Sequence, residues 1–211
     1  MKILDNNYDK IANNYDRLSR LVFGKSQVNA QINQLKYIQQ NSKILIVGGG
    51  TGWILEEISK IYPSGLQITY VEISAKMIAL SQARKIHGNS VDFVNIPVES
   101  FKTSQAFDVL LTPFLFDNFD SEKAVIVFEK LERVLRIQGF WFLVDFSLEE
   151  KHGRWWKQIM LKSMYLFFKL IKIVEAGSLM DMKPLFLKAS YQILEERFYY
   201  GRFIKATVFK K

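Results

Sequence analysis

The 211-residue sequence has no cysteine, two histidines and four prolines. Without cysteine neither a disulfide framework nor a thiolate metal centre can form, and His87 and His152 are too few for a histidine-rich metal site. No metal is therefore expected. Long apolar runs are also missing: the stretch after Trp155 is interrupted by Lys157, Lys162, Lys169 and Lys172, which argues against a bilayer span. The opening Met1-Lys2-Ile3-Leu4-Asp5 meets an acidic residue too early for a secretory signal. There is no internal repeat, low-complexity tract or Pro/Gly/Ser-rich linker. These absences lead to the expectation of a soluble cytoplasmic protein built as one large domain, with or without an appended cap.

What the chain does have is apolar side chains, 49% of the total, against 24% charged, enough for a sizeable core. The net charge of +8 is unevenly placed. Residues 1–150 carry 16 Lys/Arg against 17 Asp/Glu, whereas residues 151–211 carry 13 against four. A basic C-terminal segment can face nucleic acid, an anionic membrane or an acidic substrate; the plainer alternative is a solvated face.

Periodicity predicts a helical opening over about residues 8–40, broken near Gly24. Short apolar runs then alternate with amphipathic stretches. Strands are expected at 43–47, 67–72, 91–94, 107–112 and 140–146, with helices at 53–61, 74–86 and 121–135. Tyr62-Pro63-Ser64-Gly65 stops the first of these helices; Ser74 caps the second, and His87-Gly88-Asn89 ends it, His87 reading as a terminal cap. This βαβ alternation implies a parallel sheet with helices on both faces. After Gly153 a long aromatic-rich helix is expected. The chain closes with strand-like runs at 191–199 and 203–209, joined at Tyr200-Gly201-Arg202 as a hairpin.

Strand, glycine-rich turn, helix at Gly48-Gly49-Gly50-Thr51-Gly52 is the layout that lets backbone approach a nucleotide closely. Glu72 ends the next strand, 20 residues after Gly52, where a carboxylate can accept both ribose hydroxyls. Trp53 stands where a dinucleotide fingerprint needs a small residue, and no Gly-Lys-Ser/Thr follows for a P-loop.

With these motifs the chain resembles the class I S-adenosylmethionine-dependent methyltransferases, and within them the ubiquinone/menaquinone C-methyltransferase-like, type 11/12 group. Ile44-Leu45-Ile46-Val47 running into the glycine turn resembles the first motif, and Tyr70-Val71-Glu72-Ile73-Ser74-Ala75-Lys76-Met77 the second. Phe107-Asp108-Val109-Leu110-Leu111-Thr112 is similar to the fourth strand, and Leu131-Glu132-Arg133-Val134-Leu135-Arg136-Ile137-Gln138-Gly139 to the helix and turn before the fifth. Tyr8-Asp9-Lys10-Ile11-Ala12-Asn13-Asn14-Tyr15-Asp16 resembles that group's opening segment.

The resemblance implies a Rossmann-like α/β fold: a seven-stranded mixed sheet, helices on both faces and an antiparallel C-terminal hairpin strand. Residues 1–40 would form a helical cap over the cofactor, and 41–211 the core, with an aromatic-rich helical insertion at about 153–175. S-adenosylmethionine would be the cofactor and a small, apolar or aromatic molecule the acceptor, a quinone precursor among the candidates. Gly48, Gly49, Gly50 and Gly52 would shape the loop, Glu72 hold the ribose, Ile73 and Val98 flank adenine, and Thr112 and Tyr15 complete the cofactor site. Phe114, His152 and Trp155 would face the substrate. No catalytic residue is assigned, because methyl transfer rests mainly on aligning a nucleophile with an activated methyl group.

There are two departures from the family pattern. Ile46 stands where an acidic residue usually supports the loop, and Pro97 where an aspartate often accepts the adenine amino group. They keep open a methyltransferase-like binding module without turnover. An RNA methyltransferase is a third reading, resting only on the basic C-terminal segment; nucleic acid is disfavoured because strand four ends Leu111-Thr112-Pro113-Phe114. On a helix, Lys157, Lys162, Lys169 and Lys172 fall within an arc of about 140°. That arc is either a solvated face or a lysine face for peripheral contact with an anionic membrane.

Overall fold

The run Ile44-Leu45-Ile46-Val47 is apolar on both sides, and it becomes a central strand covered on both faces. The computed structural model describes residues 7–149, 153–170 and 179–211. Within them the strands are β1 (Lys43–Val47), β2 (Ser64–Val71), β3 (Gly88–Val94), β4 (Phe107–Pro113), β5 (Leu135–Phe146), β6 (Gln192–Tyr199) and β7 (Ile204–Lys210). They form one sheet in the order β3-β2-β1-β4-β5-β7-β6. The first five run parallel; β7 is antiparallel to both β5 and β6. This is the Rossmann-like seven-stranded mixed sheet with an antiparallel C-terminal hairpin. Chain order reverses between β1 and β4, so a crevice opens beyond their carboxyl ends, the usual ligand position in such sheets.

Period-two alternation sorts the core. Leu45 and Val47 pack towards Ala124, Val127, Phe128 and Leu131 of α5 (Ser121–Val134) and Phe186 of α7 (Lys183–Lys188). Ile44 and Ile46 face Ile54, Leu55 and Ile58 of α3 (Trp53–Ile61) and Ile78 of α4 (Ala75–Gln82). Full burial of each such side chain contributes roughly 1.5–3 kcal/mol. At the other end of the sheet, α1 (Ala12–Phe23), α2 (Ser26–Ile32) and α6 (Arg154–Leu170) cover Val144, Phe146, Phe203 and Ile204. Gly24, at φ 57, makes the break between α1 and α2.

Several expectations need correcting. Helix α4 does begin at a Ser74 cap, whose hydroxyl accepts the Met77 N–H at 3.1 Å, but it ends at Gln82. The Ile86 carbonyl is taken by the Ser59 hydroxyl at 3.1 Å, and His87, at φ 49, turns the chain into β3. His87 is therefore a turn residue ahead of a strand and caps no helix. Strands β2 and β5 begin earlier than their apolar runs, because Ser64 pairs with Gly88 and Leu135 with Phe107 whatever their flanks. The short α7, with proline in its first turn, carries no periodic signal.

The lysine face of α6 also divides. Lys157 is 1% exposed and lies on the buried stripe with Leu161 and Tyr165, four and eight residues on. Lys162 is exposed. The side chain of Lys169, and Lys172 altogether, lie outside the described residues.

Candidate functional site

The crevice at the switch point holds a cavity lined by the glycine turn, the end of β2, the segment 96–99, the segment after β4 and the inner face of α1–α2. The turn leaves β1 through Gly48 and enters α3 at Gly52, both in the left-handed region (φ 71 and 76). A Cβ on Gly52 would lie 2.7 Å from the Ser81 Cα, so glycine lets α3 and α4 meet there. A Cβ on Gly49 would run into the Tyr70 ring. At Gly50 a Cβ would meet only Met77 Sδ, at 3.8 Å, so its exposed side is free for a ligand.

Ile46 is fully buried in the core cluster of Tyr70, Ile54 and Leu111. The support that a carboxylate there would give comes from elsewhere. The Tyr70 hydroxyl and the Ser81 hydroxyl each donate to the Gly50 carbonyl oxygen at 3.0 Å.

Glu72 lies just past the end of β2, 5% exposed, with its carboxylate beside the turn. Gly50 N–H donates to Oε2 at 3.1 Å and Ser74 N–H to Oε1 at 2.9 Å. Burial pushes the carboxyl up to about 7, against the backbone donors that pull it down. Each oxygen keeps a lone pair for a further donor, such as a ribose hydroxyl. Asn95 Nδ2 donates to the carbonyls of Glu72 and Ile73 at 2.9 and 3.0 Å, holding the chain so that Ile73 faces Ile96, Pro97 and Val98 across the cavity rim. Glu99, also lining, is paired with Lys123 at 2.5 Å.

The N-terminal segment closes the cavity from above through three tethers. Asp16 accepts from the Thr51 hydroxyl at 2.7 Å and from Arg84 Nη2 at 3.2 Å. Asp9 accepts from the Ser74 hydroxyl at 2.5 Å and from the Lys76 N–H at 3.2 Å. The Tyr8 hydroxyl donates to Asn118 Oδ1 at 2.5 Å. These polar partners, absent from the sequence reading, bring Tyr8 and Tyr15 over the turn; burial, reinforced by nearby carboxylates, raises both phenols, so they stay neutral.

Beyond β4, Phe114 adopts φ 50, an uncommon conformation for an aromatic residue. Its N–H donates to the Val144 carbonyl at 2.7 Å, and its ring lies 5.1 Å from Phe146 while lining the cavity. Behind it two acids meet. Asp145, at the end of β5, accepts the Phe146 N–H at 2.8 Å and caps the short turn Phe116–Asn118 through the N–H groups of Phe116 and Asp117. Burial raises Asp145, and burial together with Asp145 raises Asp117 further. The pair can hold a proton near neutrality. Sequence gave one signal for it, an aspartate ending an otherwise apolar strand. Among the described residues no cluster of three His, Asp or Glu side chains could hold a metal ion.

Of the residues singled out by sequence, Tyr15, Gly48, Gly49, Gly50, Glu72, Ile73, Val98 and Phe114 line this one cavity. Three others do not. Gly52 sits beneath the turn against Ser81. Thr112 is fully buried, its hydroxyl accepting the Trp141 Nε1–H at 2.8 Å, so its side chain belongs to the core. Trp155 is 70% exposed on the outer side of α6, because its neighbour Trp156 takes the inward position against Tyr200 and Phe203. His152 lies outside the described residues.

Known proteins match this geometry. Residues 44–139 match the model of a methyltransferase domain family. The chain is 26% identical over 148 residues to a malonyl-[acyl-carrier protein] O-methyltransferase of Bacillus cereus, covering 70% of this chain and 54% of that one. It is 27% identical over 187 residues to the ubiquinone/menaquinone biosynthesis C-methyltransferase UbiE of Geotalea daltonii, covering 82% and 72%. The chain thus spans about half the length of the first of these relatives. Its fold is that of the 1,6-didemethyltoxoflavin-N1-methyltransferase of Burkholderia thailandensis, solved with 1,6-didemethyltoxoflavin and S-adenosylhomocysteine, at a TM-score of 0.67, 14% identity and coverage of 97% and 86%. With a glycine turn, a carboxylate after β2 and the 3-2-1-4-5-7-6 sheet in place, the chain resembles the class I S-adenosylmethionine-dependent methyltransferases of the type 11/12 group.

Proposed function

We propose that the chain binds S-adenosylmethionine across Gly48, Gly49 and Gly50 and transfers its methyl group to a small, apolar or aromatic acceptor. The observation that carries this reading is the buried Glu72 carboxylate beside a glycine turn whose free side no protein atom fills. When bound, the cofactor supplies a methyl group already activated as a sulfonium, so the protein's task is alignment and exclusion of water. Glu72 would accept the ribose hydroxyls. Ile73 and Val98 would flank the adenine, with Glu99 near enough on the rim to stand in for the acid missing at Pro97. Tyr15 and the cap formed by residues 8–40 would close over the methionine end.

Phe114, Tyr8, Tyr15 and Val28 give the remaining part of the cavity an aromatic and apolar lining, which favours an acceptor of that kind. One relative supports the same class by name, the ubiquinone/menaquinone C-methyltransferase.

Calorimetric titration with S-adenosylmethionine, followed by a methyl-transfer assay on small phenols and quinols, tests the proposal. Binding by the parent and none by a folded Gly50→Val variant is the expected pattern; equal binding by both overturns the placement. Binding without transfer to any acceptor would instead favour the module without turnover, the reading that Ile46 and Pro97 keep open.

A further inference from the structure

Helices α1 and α6 present an outer surface that the methyl-transfer reading does not use. On α1, Leu21 is 82% exposed and Val22 is also exposed; on α6, Trp155, Ile159 and Leu166 are exposed, and with Lys162 they recur at i, i+4, i+7 and i+11 on one stripe. The two helices are neighbours there. The Tyr200 hydroxyl donates to the Val22 carbonyl at 2.9 Å, and its ring lies 5.3 Å from Phe23 and 6.2 Å from Trp156. The exposed apolar side chains therefore belong to two helices that adjoin at the Tyr200 turn.

Its charge has one sign. Arg17 on α1 and Lys25 just beyond its end flank Leu21 in sequence, Arg154 and Lys162 flank Trp155 and Ile159 on α6, and all four are exposed. Residues 17–55 and 151–174 contain no Asp or Glu at all. Among the described residues none of these four cations forms an ion pair, while the carboxylates on the neighbouring strand and loop are taken: Glu149 and Glu196 both pair with Lys205. Helix α1 also contributes Ser19 and Arg20 to the cavity lining, so the surface adjoins the cavity mouth.

We infer that this face docks on an anionic lipid surface, with Leu21, Trp155 and Ile159 inserting among the acyl chains and the four cations meeting lipid phosphates. Protruding apolar side chains accompanied by cations that, among the described residues, form no ion pair match the two attractions that hold a peripheral protein at a membrane. Among the described residues no helix is long and apolar enough to cross one, so the contact is with the surface. The inference is independent of methyl transfer.

The test is co-sedimentation with vesicles of phosphatidylcholine plus phosphatidylglycerol, against vesicles of phosphatidylcholine alone. The parent protein should bind the anionic vesicles at low ionic strength, release as salt rises, and show a blue shift of tryptophan emission that Trp155→Phe removes. Leu21→Ser with Ile159→Ser should lower partitioning at least about tenfold. Arg17→Glu with Lys162→Glu should erase the preference for anionic lipid. S-adenosylmethionine affinity, measured in parallel, shows that these surface variants are folded and separates this outcome from that of the cofactor site. No binding by the parent, or anionic binding unchanged in the charge-reversed variant, overturns the inference. So does a parent that binds no vesicle but forms a dimer dissociated by Leu21→Ser/Ile159→Ser, which would give the face to a second copy of the chain.

Discussion

The Tyr70 hydroxyl donates to the Gly50 carbonyl at 3.0 Å while its ring carbon Cε2 lies 2.5 Å from where a Cβ on Gly49 would stand. One side chain thus both supports the cofactor turn and dictates the glycine beside it. Tyr70→Phe keeps the ring and removes the bond. The Ser81 hydroxyl still serves the carbonyl, so the loss should be about 1 kcal/mol, a weakening of S-adenosylmethionine binding of roughly fivefold. Gly49→Ala should lose about 1–3 kcal/mol of stability by overpacking against the ring. A second substitution, Tyr70→Val, should recover much of it, and a double-mutant cycle of thermal melts checks the coupling.

Glu72 gives a pH dependence of opposite sign for folding and for binding. Its folded-state value, about 7, lies above that of an unfolded glutamate, so the folded chain favours the protonated form. The ligand-free protein should therefore gain stability as pH falls through 7. Ribose hydroxyls need the ionised carboxylate, so S-adenosylmethionine affinity should rise with pH over the same interval. Calorimetry across that interval distinguishes the two slopes, and Glu72→Ala should weaken binding at least about tenfold at pH 8.

Asp145 and Asp117 add to the same stability trend. Both are raised by burial, Asp117 also by its neighbour, so the pair favours folding when protonated and opposes it once pH exceeds the raised values. Asp145→Asn keeps an acceptor for the Phe116–Asn118 turn and removes the charge. It should raise the melting temperature at pH 8 and leave it nearly unchanged at pH 5; a fall at both values would show that the ionised carboxylate itself is needed to hold the turn.

Thr112 provides a contrast between core and site. Thr112→Val strands the Trp141 N–H in the core, which should reduce stability by about 1–3 kcal/mol. Cofactor affinity in the folded fraction should not change, because the side chain does not line the cavity. A selective loss of binding at constant melting temperature would return Thr112 to the cofactor site.

The sequence by itself determined the sheet and the position of the crevice. Apolar runs of five to seven residues separated by amphipathic stretches leave few ways to bury both faces, and Gly48, Gly50 and Glu72 sit at strand ends that this pattern alone defines. The break at Gly24 and the hairpin at Tyr200-Gly201-Arg202 were legible for the same local reason, since backbone chemistry is written in adjacent residues. What tertiary structure decided was which side chains meet across distance. Lys157 looks solvated on a helical wheel, yet it packs inward because the stripe it shares with Leu161 and Tyr165 covers Phe146 and Phe203. Trp155 and Trp156 are adjacent and alike in sequence, and only the position of Tyr200 tells which one faces in. Position 46 carries no acid, and only the tertiary structure brings Tyr70 and Ser81, on a different strand and helix, to the Gly50 carbonyl of the turn. Periodicity fixes faces, but partners 20 to 110 residues apart are fixed by packing, as in the pairs Gly50–Tyr70 and Tyr8–Asn118.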